Sequence, residues 1–147
     1  MTLTEPRADE FVKALTSAPI AAPAMPTILI ADDDEDIREV IAFKLQVAGF
    51  TTLSADNGRS ALNLAVERRP RMIILDVTMP QMSGLTVCSE LHSLPETSRI
   101  PVLMISGNSR PDDIDLGYAN GADDYLTKPF SQREMLRRVN GLLAPGR

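Results

Sequence analysis

Five positions in this 147-residue chain carry side chains suited to chemistry at one shared site. Asp32 and Asp33 follow the aliphatic run Thr27 to Ala31, and Asp76 follows Met72 to Leu75. Ser106 follows Pro101 to Ile105, and Lys128 follows Asp124 to Thr127. Two carboxylates ~4 Å apart repel by about 4 kcal/mol at an effective dielectric of 20, so three brought together need protonation or a cation. A hard divalent ion is the simpler answer. A few carboxylates, a main-chain carbonyl and waters suit Mg²⁺, which also welcomes a phosphate oxygen. A carboxylate nucleophile, a divalent ion, an ammonium and a hydroxyl are the parts of phosphoryl transfer, where positioning and charge neutralisation do most of the catalysis. An aspartyl phosphate is the implied intermediate, and the small pair Ser106-Gly107 leaves room for the phosphoryl group. The plainer reading of an acidic run is a solvated turn or helix cap, and it is preferred for Asp34, Glu35 and Asp36. A lysine after an apolar strand is ordinarily an exposed end charge; here it stands at the edge that holds the carboxylates.

These residues meet only if the runs that precede them are neighbouring strands. Short β-branched or aliphatic runs, Thr27 to Ala31, Phe50 to Ser54, Met72 to Leu75, Pro101 to Ile105 and Asp124 to Thr127, alternate with segments of helical period. Ile37, Val40, Ile41 and Leu45 fall on one helical stripe, Ala61, Leu62, Ala65 and Val66 on the next. Met135, Leu136, Val139, Leu142 and Leu143 repeat the pattern in the last segment. Caps agree: Asp34 opens the first helix, Asn57 or Gly58 the second, Ser83 the third and Ser131 the last. Strand and helix alternating five times predict an α/β fold, a doubly wound parallel sheet with right-handed crossovers and the flavodoxin-like strand order 2-1-3-4-5. The continuous runs Ile28-Leu29-Ile30 and Ile73-Ile74-Leu75 suit central strands buried on both faces, which leaves the second and fifth strands as edges. Ligands of such sheets bind beyond the carboxyl ends of the strands where the order reverses, which singles out the residues after Ala31 and Leu75.

Composition narrows the classes. The chain is 44% hydrophobic and 24% charged, an ordinary globular balance for about one domain. A net charge of -5 offers no overall attraction for a phosphate backbone, so direct nucleic-acid binding is not expected. The single Cys88 cannot form an internal disulfide, which fits a reducing cytoplasm, and it reads as packed or idle. No stretch approaches the ~18 to 20 apolar residues of a membrane span, so no membrane insertion is expected. Residues 1–26 hold four of the eleven prolines, and the domain boundary is placed at Thr27. Within this extension Ala8 to Leu15 reads as a short helix presenting Phe11, Val12 and Leu15, and Ala18 to Pro26 as an extended linker. The extension is either a frayed terminus or a segment that docks on a neighbour. No signal peptide is read, and the mature chain is expected to begin at Met1.

Four motifs in order resemble the receiver domain of two-component response regulators over residues 27 to 147. They are Ile28-Leu29-Ile30-Ala31-Asp32-Asp33-Asp34, Leu75-Asp76-Val77-Thr78-Met79-Pro80-Gln81-Met82-Ser83-Gly84, Val102-Leu103-Met104-Ile105-Ser106-Gly107 and Tyr125-Leu126-Thr127-Lys128-Pro129-Phe130. The resemblance implies that Asp76 is the phospho-acceptor for a sensor histidine kinase's phosphohistidine or a phosphotransfer protein. It implies Mg²⁺ held by Asp33, Asp76 and the Thr78 carbonyl, with Asp32 acting mainly through water. Lys128 would pair with the phosphoryl oxygens and Ser106 would hydrogen-bond one of them. It also implies a cis bond between Lys128 and Pro129. On phosphorylation Ser106 would move inward, the Tyr125 ring would swing into the vacated space, and the face of the fourth helix, fifth strand and fifth helix would change its affinity for a protein target. The plainer reading of Tyr125 is a static edge-strand aromatic, but its place three residues before Lys128 favours the switch.

By the same resemblance Thr78 and Asn108, two residues after Asp76 and Ser106, would lie beside the path of hydrolytic water; neither supplies a strong base, which predicts slow to moderate autodephosphorylation. His92 reads as a surface residue and Phe130 as a core anchor. Arg133, Arg137 and Arg138 are either a docking or homodimer surface or a solvated helix face. The chain is thus expected to be a signalling switch, not a turnover enzyme. A haloacid dehalogenase-type phosphatase typically carries a second Asp two residues after its nucleophile, and here that position is Thr78. Two further possibilities stand beside the switch. One is a receiver excised from a longer regulator, with Ala144 to Arg147 opening a linker; the second is an interaction module that is never phosphorylated.

Overall fold

The computed structural model describes residues 26–145. The readings made for Ala8 to Leu15, for the linker before Pro26 and for Gly146-Arg147 lie outside the described residues. Five strands, β1 (Thr27–Ala31), β2 (Thr51–Ala55), β3 (Met72–Asp76), β4 (Val102–Ser106) and β5 (Asp124–Thr127), alternate with five helices. The helices are α1 (Glu35–Val47), α2 (Gly58–Arg68), α3 (Gly84–Ser93), α4 (Pro111–Ala119) and α5 (Gln132–Leu143). The strands form one parallel sheet in the order β2-β1-β3-β4-β5, the doubly wound arrangement expected from the alternation.

The strands are central or peripheral as their sequences suggest. All five residues of β3 and of β4 are buried, whereas β2 and β5, at the edges, are only partly covered. Alternation along each strand divides the core in two. Ile28, Ile30, Met72, Ile74, Leu103 and Ile105 face Ile41 and Leu45 of α1 and Met135 and Val139 of α5. Leu29, Ile73, Leu75, Val102 and Met104 face Ala61, Leu62 and Ala65 of α2 and Val87, Cys88 and Leu91 of α3. Burying each of these large side chains contributes about 1.5–3 kcal/mol, so the sheet is clamped from both sides. Among the described residues no helix is long and apolar enough to cross a membrane.

The caps are those expected. Asp34 Oδ1 accepts from the Asp36 and Ile37 amides, Asn57 Oδ1 from Ser60, and the Ser83 and Ser131 hydroxyls from Thr86 and Glu134. Helix α4 has no side-chain cap and begins at Pro111, whose missing N–H is not needed there. Three strands differ in their bounds from the sequence expectation: β2 and β4 each shift one residue along the chain, to Thr51–Ala55 and Val102–Ser106, and β3 gains Asp76. Phe50 does not open β2, because its amide donates to the Leu45 carbonyl and closes the turn after α1. Strands β3 and β4 each run one residue further, to Asp76 and Ser106, since Asp76 pairs with Ile105 and the Lys128 amide donates to the Ser106 carbonyl at 2.7 Å. Val40, placed with the buried stripe of α1, is 51% exposed, because the stripe centres on Ile41 and Leu45.

Two glycines let the loop after β3 lie flat against the domain. A Cβ at Gly84 would stand 2.0 Å from the Asp76 carbonyl oxygen, and one at Gly58 would stand 1.8 Å from that of Met82. Backbone, not a yielding side chain, occupies the space in both cases, so α3 and α2 approach the site loop only without a side chain there. Gly141, in α5, has nothing within 4 Å of its would-be Cβ. Gly84→Ala is therefore expected to lower the urea-unfolding free energy by roughly 2–3 kcal/mol. Gly141→Ala should raise it by about 0.5–1 kcal/mol through helix propensity. Equal stability of the two variants would remove the packing argument.

Candidate functional site

The carboxyl ends of β1, β3, β4 and β5 bring the sequence-singled residues to one edge. Adjacent parallel strands lie about 4.8 Å apart, so residues ending neighbouring strands are within side-chain reach. Asp32 follows β1 directly, and β1 pairs with β3 so that Ala31 lies beside Leu75. One ligand oxygen each of Asp32, Asp33 and Asp76 lies within 4.8 Å of the others. Asp32 is fully buried and Asp76 is 5% exposed, while Asp33 faces solvent. A set of three carboxylates, two buried and one open, is the donor chemistry of a hard divalent ion that keeps waters. Asp34, Glu35 and Asp36 take no part; they are the exposed cap and first turn of α1.

Lys128, just past β5, reaches back over the sheet edge. Its Nζ donates to Asp32 Oδ2 at 3.0 Å and to Asp76 Oδ1 at 3.5 Å. The other Asp32 oxygen accepts from the Asp34 amide at 2.9 Å, and Arg38 Nη1 donates to the Asp32 carbonyl at 2.9 Å. The Lys128-Pro129 bond is cis. Asp76 is the perturbed acid of the group, raised to about 6 by burial first and by the Asp32 charge second. The Lys128 cation and the Thr78 amide pull the other way without prevailing. For Lys128, burial favours the neutral amine, but the hydrogen bond to Asp32 and the charges of Asp76 and Asp32 outweigh it and hold the ammonium above its ordinary range. The ion pairs therefore keep the cation charged beside a carboxyl that burial makes reluctant to ionise.

The remaining positions surround this cluster at different distances. Ser106 ends β4, is 2% exposed, and its Oγ accepts from the Asn108 amide at 3.0 Å. Thr78 and Asn108 are exposed at the rim. Tyr125 does not reach the carboxylates: its hydroxyl donates to the Asn108 carbonyl at 3.0 Å, tying β5 to the loop after β4. Its ring already lies inside, 7% exposed, over Gly117, where an added Cβ would come within 2.9 Å of it. Phe130 is half-buried against the α1–α5 core, and His92 is exposed with Nδ1 3.0 Å from the Cys88 carbonyl. Of the three arginines, Arg138 is committed within the chain, donating to Asp124, Glu134 and the Tyr125 carbonyl, whereas Arg133 and most of Arg137 are in solvent. The sequence reading did not find Arg38 or the Asn108 carbonyl, because their bonds go to or from main-chain oxygens. Gly84 stood in the quoted motif without a role, and its part in seating the loop became visible only from the backbone approach.

With this geometry in view, comparison with known proteins identifies relatives along nearly the whole described region. The family described as response regulator receiver domain matches residues 28–140. RpaA of Synechocystis, a DNA-binding dual master transcriptional regulator, is 44% identical over 119 residues, which are 81% of this chain and 49% of RpaA. The chain spans about half the length of the curated relatives it matches. Chemotaxis protein CheY4 of Vibrio cholerae superposes with a TM-score of 0.78 at 33% identity, covering 82% of this chain and all of CheY4. The receiver domain of the Pseudomonas aeruginosa sensor histidine kinase PA1611 gives 0.77 at 25% identity over 82% of this chain and 98% of that one, and it coordinates magnesium in its active-site cleft. The chain belongs to the response regulator receiver domains of two-component systems.

Proposed function

We propose that this receiver accepts a phosphoryl group on Asp76 from the phosphohistidine of a sensor histidine kinase or phosphotransfer protein, and signals the change to a protein target. The observation that carries the proposal is the convergence of Asp76 with Asp32, Asp33 and the Lys128 ammonium at one buried sheet edge. An Asp76 carboxylate oxygen attacks phosphorus, the O–P bond forms as the P–N bond breaks, and the imidazole leaves with the electron pair. Above pH 6 Asp76 is mainly ionised and able to attack. Lys128 stays charged through the reaction and neutralises the oxygens that arrive, and the Ser106 hydroxyl turns to donate to one of them. Asp33, Asp76 and the Thr78 carbonyl would hold Mg²⁺, with Asp32 acting through water; the ion supplies charge neutralisation of the phosphoryl oxygens. The cleft magnesium of the PA1611 receiver supports the choice of Mg²⁺.

Output follows from the bond between Tyr125 and the Asn108 carbonyl, which couples the loop carrying Ser106 to β5. A displacement of Ser106 toward the phosphoryl group alters that bond and the face built by α4, β5 and α5, where a protein partner reads it. With no second carboxylate at position 78, the chain acts as a switch that is loaded and unloaded once per signal. Cys88 is buried, which pushes its thiol up to about 12, and an idle thiol of this kind fits the cytoplasm. RpaA is longer, the matched residues making up 49% of it, and binds DNA; by analogy, DNA contact in a longer form of this protein would belong to the additional part, since the receiver's own charge is unfavourable.

Intact mass after incubation with a small phosphoryl donor is expected to show one phosphoryl group in Mg²⁺, none with chelator, and none in Asp76→Asn. A folded, Mg²⁺-supplied protein that gains no phosphoryl group from small donor or kinase would instead favour an unphosphorylated interaction module. Lys128→Ala should slow the uptake at least about tenfold, and should destabilise the metal-free fold by roughly 1–3 kcal/mol because two carboxylates lose their counter-charge. The raised pKa of Asp76 sets the sign of a third expectation. The folded state holds the proton more tightly than the unfolded chain, so ionisation costs stability as pH rises from about 4 through 6. Without metal, Asp76→Asn should be more stable than wild type by roughly 2 kcal/mol at pH 7.5, and the advantage should vanish near pH 4. Added Mg²⁺ should raise the melting midpoint of the wild type and leave the variant nearly unmoved.

A further inference from the structure

Among the described residues the large exposed apolar side chains are Val40, Phe43, Val47, Leu116 and Tyr118, and three of these five share α1. Val40, Phe43 and Val47 are 51%, 67% and 66% exposed. At about 100° per residue they fall within an arc of roughly 60°, on the side of α1 turned away from Ile41 and Leu45. A contiguous aliphatic and aromatic stripe on an otherwise charged helix is the kind of surface on which another apolar element docks. Val40 also lines a groove of about 310 Å³ that continues the apolar surface past Ile37 to Pro129 and Phe130.

The chain itself carries a matching stripe. In the extension Ala8, Phe11, Val12 and Leu15 recur at helical spacing, with Asp9, Glu10 and Lys13 on the other side. The extension enters the domain at the correct end of α1. Pro26 precedes β1, and its carbonyl accepts from Thr51, four residues beyond Val47, at 3.2 Å. Eleven residues, 16–26, separate Leu15 from Thr27, and Pro19, Pro23 and Pro26 favour an extended path of roughly 3.1 Å per residue. That reach of about 34 Å exceeds the ~20 Å length of the 13-residue helix α1, so the span reaches any part of the stripe.

We propose that residues 8–15 form a short amphipathic helix that packs Phe11, Val12 and Leu15 onto Val40, Phe43 and Val47 of α1 in the same molecule. The linker holds the segment near the stripe at high effective concentration, which offsets the weakness of so short a helix alone. The inference stands on the apolar stripe and the chain path and is independent of phosphorylation.

Residue-resolved amide hydrogen exchange and mass by light scattering on the full chain test it, with the substitutions Phe43→Ser and Phe11→Ser. Phe43 is exposed and Phe11 precedes the domain, so the fold does not depend on either side chain. In the wild type, amides of residues 8–15 should exchange at least about tenfold more slowly than an unstructured chain. Both substitutions should abolish that protection, with the mass of one chain throughout. Unprotected exchange over 8–15 in the wild type, or protection that survives Phe43→Ser, would overturn the proposal. So would a mass of two chains that falls to one on Phe43→Ser, since a second copy would then occupy the stripe.

Discussion

Two buried carboxylates sharing one lysine are the constraint on which the rest of this structure depends. Asp32 and Asp76 repel, and burial makes ionisation of Asp76 harder still. The Lys128 ammonium, 3.0 Å from one and 3.5 Å from the other, is the cation that offsets this, helped by the Thr78 amide at Asp76 and the Asp34 amide at Asp32. The sheet must therefore bring a residue after its edge strand across β4 and β3 to a residue after β1. The ladder bond from the Lys128 amide to the Ser106 carbonyl fixes where that crossing begins. An arrangement of this kind costs stability in return for a carboxylate poised in a partly desolvated place, as is common where a group must react. In the proposed reaction the same lysine needs no rearrangement to meet the incoming charge.

The loop between β3 and α3 is held by backbone contacts. Gly58 and Gly84 let α2 and α3 approach the Met82 and Asp76 carbonyls closely, and the Gly84 amide donates to the Val77 carbonyl at 2.8 Å. The loop seated in this way keeps the Thr78 amide hydrogen-bonded to the Asp76 carboxylate. On the other side of the site the connection is by side chain: Tyr125 binds the Asn108 carbonyl, and Arg138 in turn binds the Tyr125 carbonyl, Asp124 and Glu134. These hydrogen bonds link the loop carrying Ser106 through β5 to α5. The buried Tyr125 ring means that this link is already assembled in the structure at hand.

Much of the fold was legible because its signals are local. Alternating aliphatic runs and helical stripes, with Asp34, Asn57, Ser83 and Ser131 as caps, led to the strand order found. The uninterrupted runs at Ile28 to Ile30 and Ile73 to Leu75 marked central strands because both faces of a parallel sheet are covered. Placing Asp32, Asp33, Asp76, Ser106 and Lys128 at one edge followed from topology alone. Boundaries were less legible where a long-range bond decides them. Phe50 looks like a strand residue, yet its amide is taken by α1, and Asp76 and Ser106 belong to their strands only because a neighbouring ladder continues.

What the sequence by itself determined was the kind of element at each point and the end of the sheet where the charges gather, since both follow from periodicity and from the handedness of crossovers. Tertiary structure decided the rest. It set which carboxylate is buried and which is open, and it chose Asp32 and Asp76, not Asp33, as the partners of Lys128. It turned Val40 outward although its spacing fits the apolar stripe, and it seated the Tyr125 ring inside over Gly117. These outcomes depend on distances between residues far apart in the chain, and burial and Coulomb energy are functions of those distances, which no local pattern of residue types contains.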